Sequence, residues 1–360
     1  MDSITHFRRI TDDPIRLREL LNSFLNGLKR QRFTSMLIKE LDEVGGPSAD
    51  FETYVVDVAL RVSYEADPGE MRRTRYVEIL KTRGQPHRSG RHSFSFEAEG
   101  ISVYPIPALP TGDIIGDPHR RVPIGIAGLD EMLRGGLVGS SCALVAGAGG
   151  TGKTTLALHF LHTGVLQGHP CLFVSLEERL YKIFKAAEGY GFVRDFVRSR
   201  CFRVLCAPAA GLNVNQLFQQ IQKSIQDLEM TNRQGRIVID GLTDLQALIK
   251  NPTALREYLF SLGSLFEEHS ITAMFTNEVP GGRREVDPID PVLSPLIDTI
   301  LYLRTNEQNG RLTRTLSILK MRASGHDMRV RDFIIDSGGI RILPAPPETP
   351  QVPLSPQDGG

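Results

Sequence analysis

Residues 147–154 read GAGGTGKT, and this short stretch limits the possible folds more than any other part of the 360-residue chain. It fits the pattern GxxxxGK followed by Ser or Thr. An apolar run, residues 142–146, comes before it, and an amphipathic stretch, residues 154–166, follows it. A strand, a glycine-rich loop and a helix in this order are typical of a loop that binds phosphate groups, whereas a glycine-rich turn that binds nothing needs no such context. The sequence therefore predicts an α/β domain built around this loop.

The chain after residue 121 alternates short apolar runs with helical stretches. Continuous apolar runs of this length are typical of buried parallel strands, and amphipathic segments such as residues 213–230 lie between them. We therefore predict a mostly parallel sheet flanked by helices. The predicted strands are residues 142–148, 170–177, 236–242, 272–279 and 298–304.

The first hundred or so residues are a near copy of residues 240–344. Asp2, Thr5 and Pro14 match residues 238 positions downstream, and FTSMLIKEL at 33–41 aligns with ITAMFTNEV at 271–279 at the same offset. Beyond a loop of different length, ILKTRGQPH at 79–87 faces ILKMRASGH at 318–326, and EGISVYP at 99–105 faces GGIRILP at 338–344, both with an offset of 239. Self-similarity at this period indicates two copies of one domain rather than a solenoid.

The repeat predicts the domain organisation. Residues 1–105 form a partial first domain, residues 106–121 a Pro- and Gly-containing linker, residues 122–345 a complete domain, and residues 346–360 a disordered Pro-rich tail. Residues 121–239 have no counterpart upstream. Either the first copy is a reduced half-domain kept as a docking surface, or, as we favour, Met1 is an internal residue of a longer chain. Asp2 receives no magnesium role, because the loop that it would serve is missing.

The glycine-rich loop predicts a nucleotide site. Glycines let the backbone wrap around phosphates, while N–H groups and a helix N-terminus supply positive potential. Lys153 is expected to reach the β- and γ-phosphates, and the Thr154 hydroxyl to ligate Mg²⁺. Asp240 ends an apolar strand, and its carboxylate is expected to face the same Mg²⁺ directly or through water. The predicted ATP-binding residues are Gly147, Ala148, Gly149, Gly150, Thr151, Gly152, Lys153, Thr154 and Thr155.

Two adjacent carboxylates, Glu177 and Glu178, end another predicted strand. A carboxylate in this place can orient the water or hydroxyl that attacks the γ-phosphate and accept its proton. A solvated acidic pair at a helix start, where the helix dipole favours negative charge, is the alternative.

Composition narrows the class of protein. Lys and Arg number 42 and Asp and Glu also number 42, so the chain lacks the overall basic charge of a dedicated nucleic-acid binder. Four scattered cysteines fit a reducing compartment better than a disulfide framework or a zinc site. No apolar run is long enough to cross a bilayer, and the charged start is no signal peptide. We expect a cytoplasmic protein without a membrane partner, and the balanced charge argues against a nucleic-acid partner without excluding a local basic patch.

The motifs together resemble the KaiC family of RecA-like ATPases. They are RVPIGIAGLDEMLRGGL, GAGGTGKTT, FVSLEER, IVIDGLTDL, FTNEV and ILKMRASGH, and the resemblance extends over residues 1–345. It implies ATP with Mg²⁺, a hexameric ring with nucleotide between subunits, and catalytic roles for Glu177 and Glu178. It also implies that Lys320 and Arg322 act on the γ-phosphate of the neighbouring subunit, since two such cations are suited to neutralise developing phosphate charge. Ordinary surface ion pairs are the alternative.

Three further residues are candidates within this resemblance. Thr276 and Asn277 are possible sensors of the γ-phosphate, or caps of a turn. Clock-type members carry a Ser/Thr pair that they phosphorylate on themselves, but here the place reads Ser294-Pro295, which leaves Ser294 as the one candidate phosphosite and puts autokinase activity in doubt.

Four functions therefore compete. We favour an ATPase that drives conformational change for an unidentified signalling protein. The alternatives are a Ser/Thr autokinase, a RecA- or RadA-like DNA recombination ATPase, against which the neutral composition argues, and an ATP-dependent scaffold that does not hydrolyse ATP.

Overall fold

The computed structural model describes residues 13–40, 53, 55–66, 73–107, 119–209, 212–231, 233–279, 293–308 and 310–344. The chain divides into two compact units, Met1–Ile106 and Pro107–Gly360. Asp2, most of the expected linker and the Pro-rich tail lie outside the described residues. None of the described helices is both long and apolar enough to span a membrane.

In its described residues, the first unit combines one long helix with an antiparallel sheet. Its four strands follow one another in space as they do in sequence, in the order β1-β2-β3-β4. The elements are α1 Pro14–Arg30, β1 Val58–Ala66, β2 Arg73–Thr82, β3 Arg91–Glu97 and β4 Gly100–Tyr104.

The second unit is built on a nine-stranded sheet. Its strands are β7 Cys142–Gly147, β8 Cys171–Ser175, β9 Phe202–Cys206, β10 Arg236–Asp240, β11 Thr272–Glu278, β12 Thr299–Gln308, β13 Arg311–Met321, β14 Arg331–Asp336 and β15 Gly339–Ile342. The order is β15-β14-β13-β12-β7-β11-β10-β8-β9. The strands from β12 to β9 are parallel, and β13 to β15 extend the sheet antiparallel at one edge. The predicted mostly parallel sheet is confirmed.

Helices lie along this sheet, and a small ribbon of β5 Arg121–Val122 and β6 Leu137–Val138 precedes it. The helices are α2 Ala127–Met132, α3 Lys153–Leu166, α4 Leu180–Gly189, α5 Val193–Arg198, α6 Val214–Asp227, α7 Leu242–Leu248 and α8 Pro252–Glu268.

Helices cover both faces of the central strands, which explains why those strands are apolar throughout. In β7, Ala143 and Val145 belong to the core that α3 completes. Leu144 and Ala146 point to the opposite core, which α6 and α8 complete. A strand with solvent on one face would alternate polar and apolar residues, so the continuous run predicts a strand buried on both sides.

Corresponding elements of the two units have matching details. Helices α1 and α8 begin at prolines 238 residues apart, and each is capped by the side chain before it, Asp13 in one and Asn251 in the other. A side-chain oxygen at this position satisfies N–H groups that the first turn leaves free. The register of β1 with β2 shifts after Ala59, and that of β12 with β13 shifts after Ile300, where their partners are Lys81 and Lys320.

The units differ in what covers the sheet. Leu60 and Val62 of β1 are 53% and 64% exposed, whereas Leu301 and Leu303, at the same register positions of β12, are fully buried in the core that includes α3. Residues 34–40, which match β11 in sequence, form no strand beyond one bridge at Ile38. In the second unit β11 lies between β7 and β10, and the described residues of the first unit contain no equivalent of β7.

A buried cation attaches α3 to the sheet. Arg236, the first residue of β10, has no exposed surface and donates to the carbonyl of Phe160 at 2.9 Å and to Oε1 of Gln167 at 2.5 Å. A third bond, of 2.7 Å, goes to the carbonyl of Pro123. Burial lowers the pKa of Arg236 to about 10, so the side chain stays charged and fixes α3 behind the glycine-rich loop.

Candidate nucleotide-binding site

The glycine-rich loop joins the end of β7 to the start of α3. Gly150 and Gly152 have φ values of 74° and 107°, in the left-handed region that favours glycine. A Cβ on Gly152 would lie 2.7 Å from Cδ1 of Ile335, and one on Gly147 would lie 2.5 Å from the Leu303 carbonyl oxygen. The loop conformation therefore requires glycine at these positions.

Lys153 folds back over the loop. Its Nζ donates to the carbonyls of Gly147 and Ala148, both at 3.0 Å, and lies 4.0 Å from Oε2 of Glu278. Burial lowers the pKa of Lys153, and the charges of Glu278, Glu177 and Asp240 oppose that shift. The ammonium group is thus held at the mouth of the loop by weak neutral acceptors that a phosphate oxygen can replace.

An acid and two hydroxyls meet beneath the loop. Thr154 Oγ1 lies 3.3 Å from both carboxylate oxygens of Asp240, and Thr276 Oγ1 donates to Oδ1 of the same carboxylate. Thr276 Oγ1 in turn accepts from the Gly241 N–H at 3.1 Å, which fixes its orientation. Asp240 is only 3% exposed, and burial raises its pKa against the effect of the two hydroxyl bonds.

These oxygens suit a magnesium ion. A carboxylate and a hydroxyl are the hard donors that Mg²⁺ prefers, and the ion commonly takes its remaining ligands from water and substrate phosphates. Among the described residues, no group of three or more His, Cys, Asp or Glu side chains could hold a metal ion by itself. Thr154 and Asp240 would therefore hold the ion together with the nucleotide.

Glu177 and Glu178 follow β8 at the same end of the sheet. The Ser175 hydroxyl accepts from the Glu178 N–H at 3.0 Å and donates to the Glu178 carbonyl at 2.9 Å, which makes a tight turn. Burial raises the pKa of Glu177, and negative charge on Asp240, Asp244 and Glu278 adds to the effect. Glu178 contributes to the raised pKa of Asp240. The structure therefore brings Glu177 into the electrostatic surroundings of Asp240 and Lys153, and Glu178 into those of Asp240.

Three residues of this cluster escaped the sequence analysis: Thr243, Asp244 and Glu278. The Thr243 hydroxyl donates to Oδ1 of Asn277 at 3.0 Å and accepts from the Glu278 N–H at 3.1 Å. Burial and the charge of Glu278 raise the pKa of Asp244. The available signal was their position close to the carboxyl ends of neighbouring strands: Thr243 and Asp244 come three and four residues after Asp240, and Glu278 directly follows Asn277.

A further contact involves Thr155, the last predicted residue of the loop. Its hydroxyl lies 3.2 Å from the hydroxyl of Tyr190, which follows α4. The sequence analysis did not include Tyr190, because no motif surrounds it.

The two cations expected to act between subunits are engaged within their own chain. Lys320 Nζ donates to the carbonyls of Ser294 at 2.6 Å and Ile297 at 2.7 Å. Arg322 Nη1 donates to the Pro295 carbonyl at 2.8 Å and lies 3.8 Å from Oδ1 of Asp298. We call this arrangement the Lys–Arg clamp, because both cations hold the turn before β12.

The first unit contains the same clamp. Lys81 Nζ donates to the carbonyls of Thr53 at 2.9 Å and Val56 at 3.1 Å, the counterparts of Ser294 and Ile297. Arg83 Nη1 lies 3.5 Å from Oδ1 of Asp57, the counterpart of Asp298. The two lysine contacts and the contact of the arginine with the acid therefore recur in a unit whose described residues include no glycine-rich phosphate loop.

Comparison with known proteins finds the same family that the sequence motifs resemble. The family model "ATPase: KaiC" matches residues 1–108 and 122–347. The circadian clock oscillator protein KaiC of Parathermosynechococcus lividus is 31% identical over 347 residues, which cover 95% of this chain and 62% of that protein. The KaiC proteins of Thermostichus vulcanus and Synechococcus elongatus are 31% and 29% identical, with 95% of this chain and 65% of each relative covered. The chain thus spans less than two thirds of the length of these relatives.

Proposed function

The chain belongs to the KaiC family of RecA-like ATPases, and from this membership we propose that its second unit binds ATP with Mg²⁺ and hydrolyses it. One observation carries the proposal: the loop lysine, a hydroxyl–carboxylate pair and an acid with a raised pKa meet at one end of the sheet. Phosphate binding, ion binding and proton transfer thus each have a residue of suitable chemistry.

The proposed roles follow from the contacts. Lys153 exchanges its carbonyl partners for the β- and γ-phosphates, and the loop N–H groups hold the remaining phosphate oxygens. Thr154 and Asp240 would hold Mg²⁺, which would supply positive charge to offset the charge that develops on the phosphates. Thr276 orients Asp240, and Asn277 is placed by Thr243 to sense the terminal phosphate.

Glu177 is the proposed base, with Glu178 beside it. A carboxylate accepts a proton from an attacking water more readily when its pKa is raised, and burial together with three neighbouring acids raises the pKa of Glu177. The Ser175 hydroxyl fixes the main chain of Glu178 in the turn that carries both glutamates.

The experiment compares Glu177→Gln and Lys153→Ala with the unchanged chain, using Glu268→Gln, an exposed change in α8, as the matched control. Glu177→Gln should reduce ATP turnover by at least about a hundredfold while ATP binding persists, because only the base is lost. Lys153→Ala should weaken binding itself. Turnover by Glu177→Gln at the rate of the control would refute the role of Glu177.

The arrangement of the subunits and the signalling role are also proposals. We infer a hexameric ring in which Lys320 and Arg322 reach the γ-phosphate of the neighbouring subunit, with nucleotide state driving conformational change for a signalling protein in the cytoplasm. Two adjacent cations suit developing phosphate charge, provided that the clamp carbonyls release them. Native mass spectrometry with and without ATP tests the ring, and phosphate on Ser294 after the same incubation would support the autokinase alternative.

A further inference from the structure

Glu278 is held against the glycine-rich loop by its backbone. It is the last residue of β11 and lies opposite Gly147 in the parallel register with β7. Its N–H donates to the Thr243 hydroxyl at 3.1 Å, and the next N–H, of Val279, donates to the Gly147 carbonyl at 3.1 Å. The position of Glu278 beside the loop is therefore set by hydrogen bonds on both sides of it.

The carboxylate of Glu278 extends over the loop. Oε2 lies 4.0 Å from Nζ of Lys153, and Oε1 lies 3.2 Å from the place that a Cβ on Gly149 would occupy. The Glu278 side chain is 53% exposed, while that of Lys153 is 12% exposed. The negative charge of Glu278 therefore lies beside the glycine-rich loop and close to the ammonium group of Lys153, which the proposed phosphate groups would also need.

We propose that Glu278 is a specificity-determining counter-ion, which competes with the terminal phosphate of a nucleoside triphosphate for Lys153. The inference rests on the proposed nucleotide site. A bound triphosphate brings more negative charge to the mouth of the loop than a diphosphate does, so the Glu278 carboxylate repels the triphosphate more strongly. Its effect is to lower the affinity for triphosphate and to narrow the preference of the site for triphosphate over diphosphate.

The test is equilibrium binding of a nonhydrolysable ATP analogue and of ADP, each with Mg²⁺, to the full chain carrying Glu278→Gln. The amide keeps the size of the side chain and removes its charge. Glu278 lies 4.0 Å from Lys153, and at about this separation a unit charge in largely aqueous surroundings is worth about a tenfold change in affinity. The triphosphate should therefore bind about tenfold more tightly to Glu278→Gln, and the affinity for ADP should rise by a clearly smaller factor. Because Glu278 is half-exposed, the gain should shrink as the ionic strength rises. Glu268→Gln removes an equal charge at the end of α8, before β11 begins and so at the opposite end of that strand from Glu278, and it should change neither affinity.

The outcomes separate the two claims. If Glu278→Gln binds the triphosphate no more tightly than the unchanged chain, or if both nucleotides gain equally, the inference is overturned while the nucleotide site stands. If neither protein binds the triphosphate, the proposed function itself fails. Should Glu278→Gln unfold, Glu278→Asp keeps the charge but withdraws it from Lys153, and it should produce a smaller gain in the same direction.

Discussion

His159 connects α3, the helix that follows the glycine-rich loop, to the last strand of the sheet. Its Nε2 accepts the Ile340 N–H at 2.9 Å, and its ring lies edge-on to Phe192 with centroids 4.9 Å apart. An accepting Nε2 requires the neutral imidazole. Burial, and to a smaller extent the charge of His162, lowers the pKa of His159 from 6.5 to about 4.

This lowered pKa makes the free energy of unfolding depend on pH. Between pH 6.5 and about 4 the unfolded chain binds a proton at His159 that the folded chain does not. The contribution of neutral His159 to the free energy of unfolding is therefore complete above pH 6.5 and is lost as the pH falls toward 4. A difference of one pKa unit corresponds to 1.36 kcal/mol, which gives about 3 kcal/mol over the whole range and about 2 kcal/mol at pH 5.

Urea unfolding at about pH 7.5 and pH 5 measures this loss in the unchanged chain and in His159→Gln, whose side-chain oxygen can still accept the Ile340 N–H. Hydrogen exchange of the α3 amides assigns the transition to the second unit. The unchanged chain should lose about 2 kcal/mol more than the variant between the two pH values. Equal losses would refute the reasoning, because they would mean that His159 does not titrate differently on unfolding.

Two other predictions concern the site. Thr276→Val removes the hydroxyl that donates to Asp240, so the magnesium concentration needed for half-maximal ATP turnover should rise at least about tenfold, and an unchanged magnesium titration would contradict this. Lys320→Met and Lys81→Met each remove the donor from two carbonyls, so each should destabilise its own unit by about 1–3 kcal/mol. If Lys320 also acts on nucleotide, only Lys320→Met should reduce turnover, and equal turnover in the two variants would exclude that role.

The sequence predicted the features that follow from local pattern. The order of strand, glycine loop and helix determines how the chain passes from β7 to α3, and the continuous apolar runs indicate strands covered on both faces. Since parallel strands end at one edge of a sheet, Asp240 could be expected near Thr154. Each of these inferences uses residues that are adjacent in sequence or a rule of sheet topology.

The remaining features depend on contacts between distant segments. The bonds of Lys320 go to main-chain carbonyls, which leave no signature in the sequence. Glu278 belongs to the site because β11 lies beside β7, and strand order was not predicted. Residues 34–40 match β11 in sequence but form no strand, because a central parallel strand is stabilised by neighbours on both sides, and the described part of the first unit does not provide both.

The Lys–Arg clamp occurs in both units, so its structural role can be distinguished from a catalytic role. In both units the lysine binds two carbonyls of the turn and the arginine lies beside the acid that ends it. Fixing this turn places the start of β1 or β12, and that need exists in each copy whether or not nucleotide is bound. A catalytic role is an addition that requires a phosphate within reach. The presence of Lys320 and Arg322 is therefore explained by the fold alone, and an additional action on nucleotide predicts that turnover falls further in Lys320→Met than in the matched Lys81→Met.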